Sequence, residues 1–225
     1  MALVTGTQFG HIVIGTSATS LTGMGVFAGS TLTTDAAHTV GVDSLGRYYK
    51  QDSSAVSGNN VGWSAPNQHT RMDCPSSTSF VMEWPTLTSI RIFVGLIASS
   101  SIGVGCDADT LGAIGFGFQF STDRGDTTFQ VVSYNGTTQS APASVGFTVA
   151  TNTTYRFCLN VTSSTSVSWS VHSAAGSLLG SGTLTTNLPA STTTLYALTC
   201  LEPRSASARS LVTRHVAAFN YGYTA

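Results

Sequence analysis

Glu83, Glu202 and Lys50 are the only residues of their two kinds in a chain of 225. Glu and Lys, with Gln and Arg, are the side chains that sustain the wet face of an α-helix, so a helical protein is nearly excluded. Their place is taken by 31 Ser and 34 Thr, 65 short hydroxyl side chains in all, with 23 Gly besides. Thr suits the solvent face of a strand, and Ser and Gly disfavour helix interiors. The chain is therefore expected to be built of strands, and an apolar share of 41% gives it material for a sizeable core.

The hydrophobic pattern has the strand period. Ile114, Phe116, Phe118 and Phe120 alternate with Gly115, Gly117 and Gln119; Tyr155, Phe157, Leu159 and Val161 alternate with Arg156, Cys158 and Asn160; Val167, Trp169 and Val171 alternate with Ser168 and Ser170. Each is period two. Shorter strands are predicted over 80–84, 89–98, 128–134, 145–149, 178–186, 193–202 and 211–219. Turn chemistry separates them, most clearly at Asn135-Gly136 and Arg124-Gly125-Asp126. About ten short strands with aromatics on one face and hydroxyls on the other predict an all-β, antiparallel two-sheet sandwich over 80–225. Residues 1–79 are richer in Gly, Ala, Ser and Thr and have only short apolar pieces such as Ile12–Ile14. They are expected to form an irregular N-terminal attachment arm that drapes over a neighbouring subunit or anchors to a partner.

Charge excludes several partners. A net charge of −1 leaves no basic footprint for nucleic acid and no polybasic patch for anionic lipid. The longest apolar run, Ile90–Ala98, contains Arg91 and has strand length, so no membrane insertion is expected. No charged-then-apolar leader precedes Arg47, so Met1 is expected to begin the mature chain. The Asn-x-Thr patterns at Asn135, Asn152 and Asn160 then arise by chance in a Thr-rich sequence.

Candidates for chemistry are few. Glycoside hydrolysis needs two carboxyl groups about 5 to 9.5 Å apart. Glu83 and Glu202 stand alone in the sequence, and Asp107 and Asp109, spaced i, i+2, fall in what is expected to be a solvated loop, with a weak calcium site as the alternative. His11, His38, His69, His172 and His215 are scattered, and no Gly-x-Ser-x-Gly elbow occurs. No catalytic residue, metal ligand or cofactor is assigned. Arg124-Gly125-Asp126 spells an adhesion tripeptide, but a tight hairpin requires the same residues. The aromatics eligible to stack on a sugar are Tyr48, Tyr49, Trp63, Tyr134, Tyr221 and Tyr223, which lie outside the alternating core pattern. Cys74, Cys106, Cys158 and Cys200 are expected as buried thiols; if a bridge forms, Cys158–Cys200 is the first choice, both residues lying on strands.

The run from Arg91 to Ala225 resembles the concanavalin-like jelly-roll module of tailed-bacteriophage virion proteins. The pieces that carry the resemblance, in order, are Ile90–Leu96, Gly117–Phe129, Asn135–Gln139, Thr186–Pro189 and Ala206–Leu211. It implies a virion component, a homotrimer with the sandwich displayed outward, whose N-terminal region contacts the tail baseplate or capsid. A short tail fibre or receptor-binding protein that meets host surface glycan is expected first, and a capsid decoration protein second. A polysaccharide-degrading enzyme comes third, for want of a carboxylate pair.

Overall fold

The computed structural model describes residues 10–11, 37–64 and 70–220. Fifteen strands run through them: β1 (Gly10–His11), β2 (Ala37–Asp43), β3 (Gly46–Asp52), β4 (Val61–Ser64), β5 (Thr70–Arg71), β6 (Ser76–Glu83), β7 (Ile90–Ile97), β8 (Gly115–Ser121), β9 (Gln130–Tyr134), β10 (Ala143–Ser144), β11 (Tyr155–Ser163), β12 (Ser166–Ser173), β13 (Leu178–Leu184), β14 (Thr194–Pro203) and β15 (Ser210–Asn220). The only helical turn among the described residues is a 3-10 turn at Gly103–Gly105. One sheet has the order β13-β12-β11-β6-β15-β3-β2 with β1 on β15; the other is β10-β9-β8-β7-β14-β4 with β5 on β14. The expected two-sheet antiparallel jelly roll is what the chain forms.

Between the sheets lies an aromatic core set by the alternation. Phe157 on β11 sits opposite Phe80 on β6 and Val171 on β12, all pointing inward and fully buried. Its ring is 5.0 Å from those of Phe118 and Phe129 and 5.7 Å from that of Trp84, all three tilted edge-on. Edge-to-face pairs of this kind add to what area burial alone contributes.

Residues 37–64 and 70–79 contribute strands to both sheets, so the sandwich takes in strands that precede Phe80. β6 begins at Ser76 and occupies the middle of the eight-stranded sheet, β3 pairs with β15, and β4 pairs with β14. The weak apolar pattern there has a physical cause: β2 and β3 form an edge hairpin held largely by polar contacts. Arg214 of β15 donates to both carboxylate oxygens of Asp43 (2.9 and 2.8 Å) and to Glu83 (2.7 Å), and stacks over Tyr48. Arg214 holds the Asp43 carboxyl below its usual range. The rest of the expected arm, 1–9, 12–36 and 65–69, lies outside the described residues. The strand predicted at 145–149 is absent, because Gly146 takes φ +87° and turns the backbone while Val145 and Val149 still point into the core.

Phe157→Ala removes the ring shared by both sheets, and urea unfolding should show a loss of about 3–5 kcal/mol.

A clasped face on the seven-stranded sheet

β7 and β8 read as apolar runs because both their faces are dry. The inward face carries Ile92, Val94, Leu96, Phe116 and Phe118; the outward face carries Phe93, Ile97, Gly115 and Gly117, all buried as well. The ring of Phe93 lies across Gly95 and Gly117, where a Cβ would stand 2.6 and 2.9 Å from it. Residues 98–114, the connection from β7 to β8, fold back over this face. Ile102, Cys106 and Leu111 join Phe93, Ile97, Val132, Leu198 and Cys200 in a second apolar cluster.

A backbone laid over an apolar face must have its carbonyls satisfied. Three sheet-side groups do this in succession: Arg91 Nη1 donates to the carbonyl of Asp107 (2.7 Å), Gln119 Nε2 to that of Ala108 (3.2 Å) and Arg124 Nη1 to that of Asp109 (3.1 Å). The guanidiniums also gather carboxylates. Arg91 pairs with Asp109, Asp123 and Glu202, Arg204 with Asp123 and Glu202, and Arg124 with Asp126. Asn60 donates to Asp107 at 2.6 Å. Three Arg and five carboxylates, eight of the 19 charged residues of the chain, thus meet at one end of one sheet face.

Asp107 and Asp109 do lie in a loop open to solvent, and Glu202, which stands alone in the sequence, is brought to the same arginine as Asp109 by the fold. Glu202 stands opposite Arg91 across the β7–β14 ladder and is 3% exposed. Its Oε1 accepts from Arg204 at 2.6 Å, while Oε2 has no hydrogen bond and lies 3.6 Å from Arg91. Burial raises the Glu202 carboxyl above the usual glutamate range, against the lowering pull of Arg204 and Arg91. Among the described residues no group of three or more His, Cys, Asp or Glu is placed to hold a metal ion.

Arg124-Gly125-Asp126 is a turn: Gly125 has φ +77°, and Asp126, 6% exposed in its side chain, accepts from Arg124 and from the Ser121 amide. Trp63 and Tyr49 are buried core residues and cannot stack on a sugar; Tyr48 carries Arg214 on its ring, Tyr134 packs on the second apolar cluster, and Tyr221 and Tyr223 lie outside the described residues. His172 bonds within its own hairpin, to Ser170 Oγ at 3.0 Å and the Gly176 carbonyl at 3.3 Å. The pairing Cys158–Cys200 does not occur. Cys158 points outward from the eight-stranded sheet and Cys200 outward from the other, with the whole core between them, and none of the four cysteines is in a disulfide.

No family model matches the chain, and a search of curated proteins gives no match. Among solved structures it is similar to a protein of unknown function from Shewanella oneidensis MR-1 (TM-score 0.62, 12% identity, 84% of this chain and 76% of that one). It is similar too to the β-glucanase of Bacillus licheniformis (0.57, 14%, 98% and 100%) and to the carbohydrate recognition domain of Emp47p (0.56, 8%, 91% and 96%). At such identities the likeness is one of fold, a concanavalin-like jelly roll used by binding proteins and enzymes alike.

Arg91→Met leaves Glu202 buried beside a neutral side chain. A group with a raised pKa contributes stability that is complete below its unfolded pKa and lost as pH rises through its folded one. The variant should therefore lose about 3 kcal/mol at neutral pH, and the deficit should shrink as Glu202 protonates in mild acid; urea titrations at both pH values measure it.

Proposed function

We propose that the protein is a structural component of a tailed-bacteriophage virion, a short tail fibre or receptor-binding protein that attaches as a homotrimer through its N-terminal region. The sandwich would meet the host surface, surface glycan included. What carries the choice of contact over turnover is the clasp: Asp109, Asp123, Asp126 and Glu202 are each engaged by arginine and Asp107 by Asn60, and the sheet face beside them is filled by residues 98–114. A polysaccharide cleft needs that face open and a carboxyl group free to exchange a proton. The fold's use in a carbohydrate recognition domain supports the glycan part of the reading.

A second reading, a polysaccharide-degrading enzyme, is favoured by one observation. Glu202 is held above the usual range with Asp107 close enough to raise it further, as in acid–base pairs, and the β-glucanase has the same fold.

Immunogold labelling of intact particles should place the protein at the tail. Uniform head label would turn the reading to capsid decoration, and absence from particles would overturn it. The purified protein should release no reducing sugar from host envelope; release that Glu202→Gln abolishes would establish the enzyme. Light scattering should return three times 23.3 kDa, and a monomer would remove the trimer.

A further inference from the structure

We propose that Cys106 and Cys200 are a dithiol that closes to a disulfide, locking residues 98–114 onto the outer face of the seven-stranded sheet. The two residues come from different elements, one directly after the 3-10 turn and one on β14, yet both are fully buried in the same apolar cluster. The Cys106 thiol donates to Asn60 Oδ1 at 3.4 Å, and after burial the neighbouring Cys200 thiol is the next cause that holds it above the usual thiol range. The overlying backbone runs against the Cys200 sulfur: a Cβ on Gly105 would stand 2.9 Å from it, so position 105 has no room for a side chain. Neither Cys74 nor Cys158 belongs to this cluster.

The oxidant is a small disulfide such as oxidised glutathione. One cysteine thiolate attacks a glutathione sulfur and expels the first glutathione thiolate, leaving a mixed disulfide. The second cysteine thiolate then attacks the protein sulfur of that bond and expels the other glutathione. Two protein thiols are oxidised, one disulfide is reduced, and the two protons end on the two glutathione molecules. Both sulfurs are shut from solvent, so exchange proceeds through openings of 98–114, and burial, which raises the Cys106 thiol, keeps it unreactive while the segment is down. The bond would join Cys106 beside Asp107, whose carbonyl and carboxylate are both held in the clasp, to β14 between β7 and β4.

The test oxidises the full chain with glutathione disulfide at alkaline pH and low urea, alkylates the remaining thiols, and maps the peptides. A Cys106–Cys200 cross-link is expected, with Cys74 and Cys158 alkylated. Tm should rise by on the order of 5–10 °C and fall back with dithiothreitol, since a cross-link spanning this much chain restricts the unfolded state. Cys158→Ser should keep the cross-link and Cys200→Ser lose it. Four alkylated cysteines after oxidation, a cross-link through Cys74 or Cys158, or a Cys106–Cys200 bond without the reversible Tm rise would each overturn the proposal. The wild-type map decides even if Cys200→Ser does not fold.

Discussion

Burial of both faces of the seven-stranded sheet is the constraint from which most of this molecule follows. A sandwich usually hides one face of each sheet and wets the other. Here the outward side of β7, β8 and β14 carries Phe93, Ile97, Leu198 and Cys200, which need a cover. The chain supplies one by making the β7–β8 connection long and giving it Ile102, Cys106 and Leu111 to point down. The same choice creates a second requirement, since an irregular backbone over an apolar surface must find donors for its carbonyls. Arg91, Gln119 and Arg124 meet it at three consecutive residues.

Where the charges go follows from that. With 8% charged residues, the chain spends most of them on two fastenings, the clasp and the Arg214 cluster that holds the β2–β3 hairpin. From Phe157 to Leu201 there is no charged residue at all. Beyond Arg156 at the start of β11, the outward face of β11 and β12 is consequently a field of short polar groups, with Asn160 between Ser77 and Ser168, and Cys158 between Ser79 and Ser170. Such a surface neither steers nor repels by charge; it offers hydroxyls for close contact.

The sequence made the inward faces legible and left the clasp hidden, for reasons of range. Phe116, Phe118 and Phe120, or Tyr155, Phe157 and Leu159, announce themselves through neighbours two residues away. Glu202 meets Arg91 only because β7 and β14 pair at that register, and Asp107 arrives by a loop returning over the sheet. The one available hint was the Ile90–Ile97 run, too continuous in apolar side chains for a strand wet on one side. Trp63 and Tyr49 were set outside the core for a related reason: β3 and β4 are flanked by turn residues, and their burial comes from β14 and β15, more than a hundred residues onward.

The same carboxylate geometry can serve acid–base chemistry or fastening, and the partners decide between them. A raised pKa beside a second carboxylate is what a general acid needs. It also needs to reach a substrate oxygen at hydrogen-bond distance with its proton available. Glu202 is 3% exposed, and its Oε1 is taken by Arg204, which is itself tied to Asp123. Freeing that oxygen for a substrate would break the Arg204 contact and uncover the end of β14 where Pro203 receives the Gly58 amide. A residue whose use dismantles the loops around it is better placed to hold them together, and the remaining close contact of Glu202, the 3.6 Å approach of Arg91, runs into the group that captures the Asp107 carbonyl.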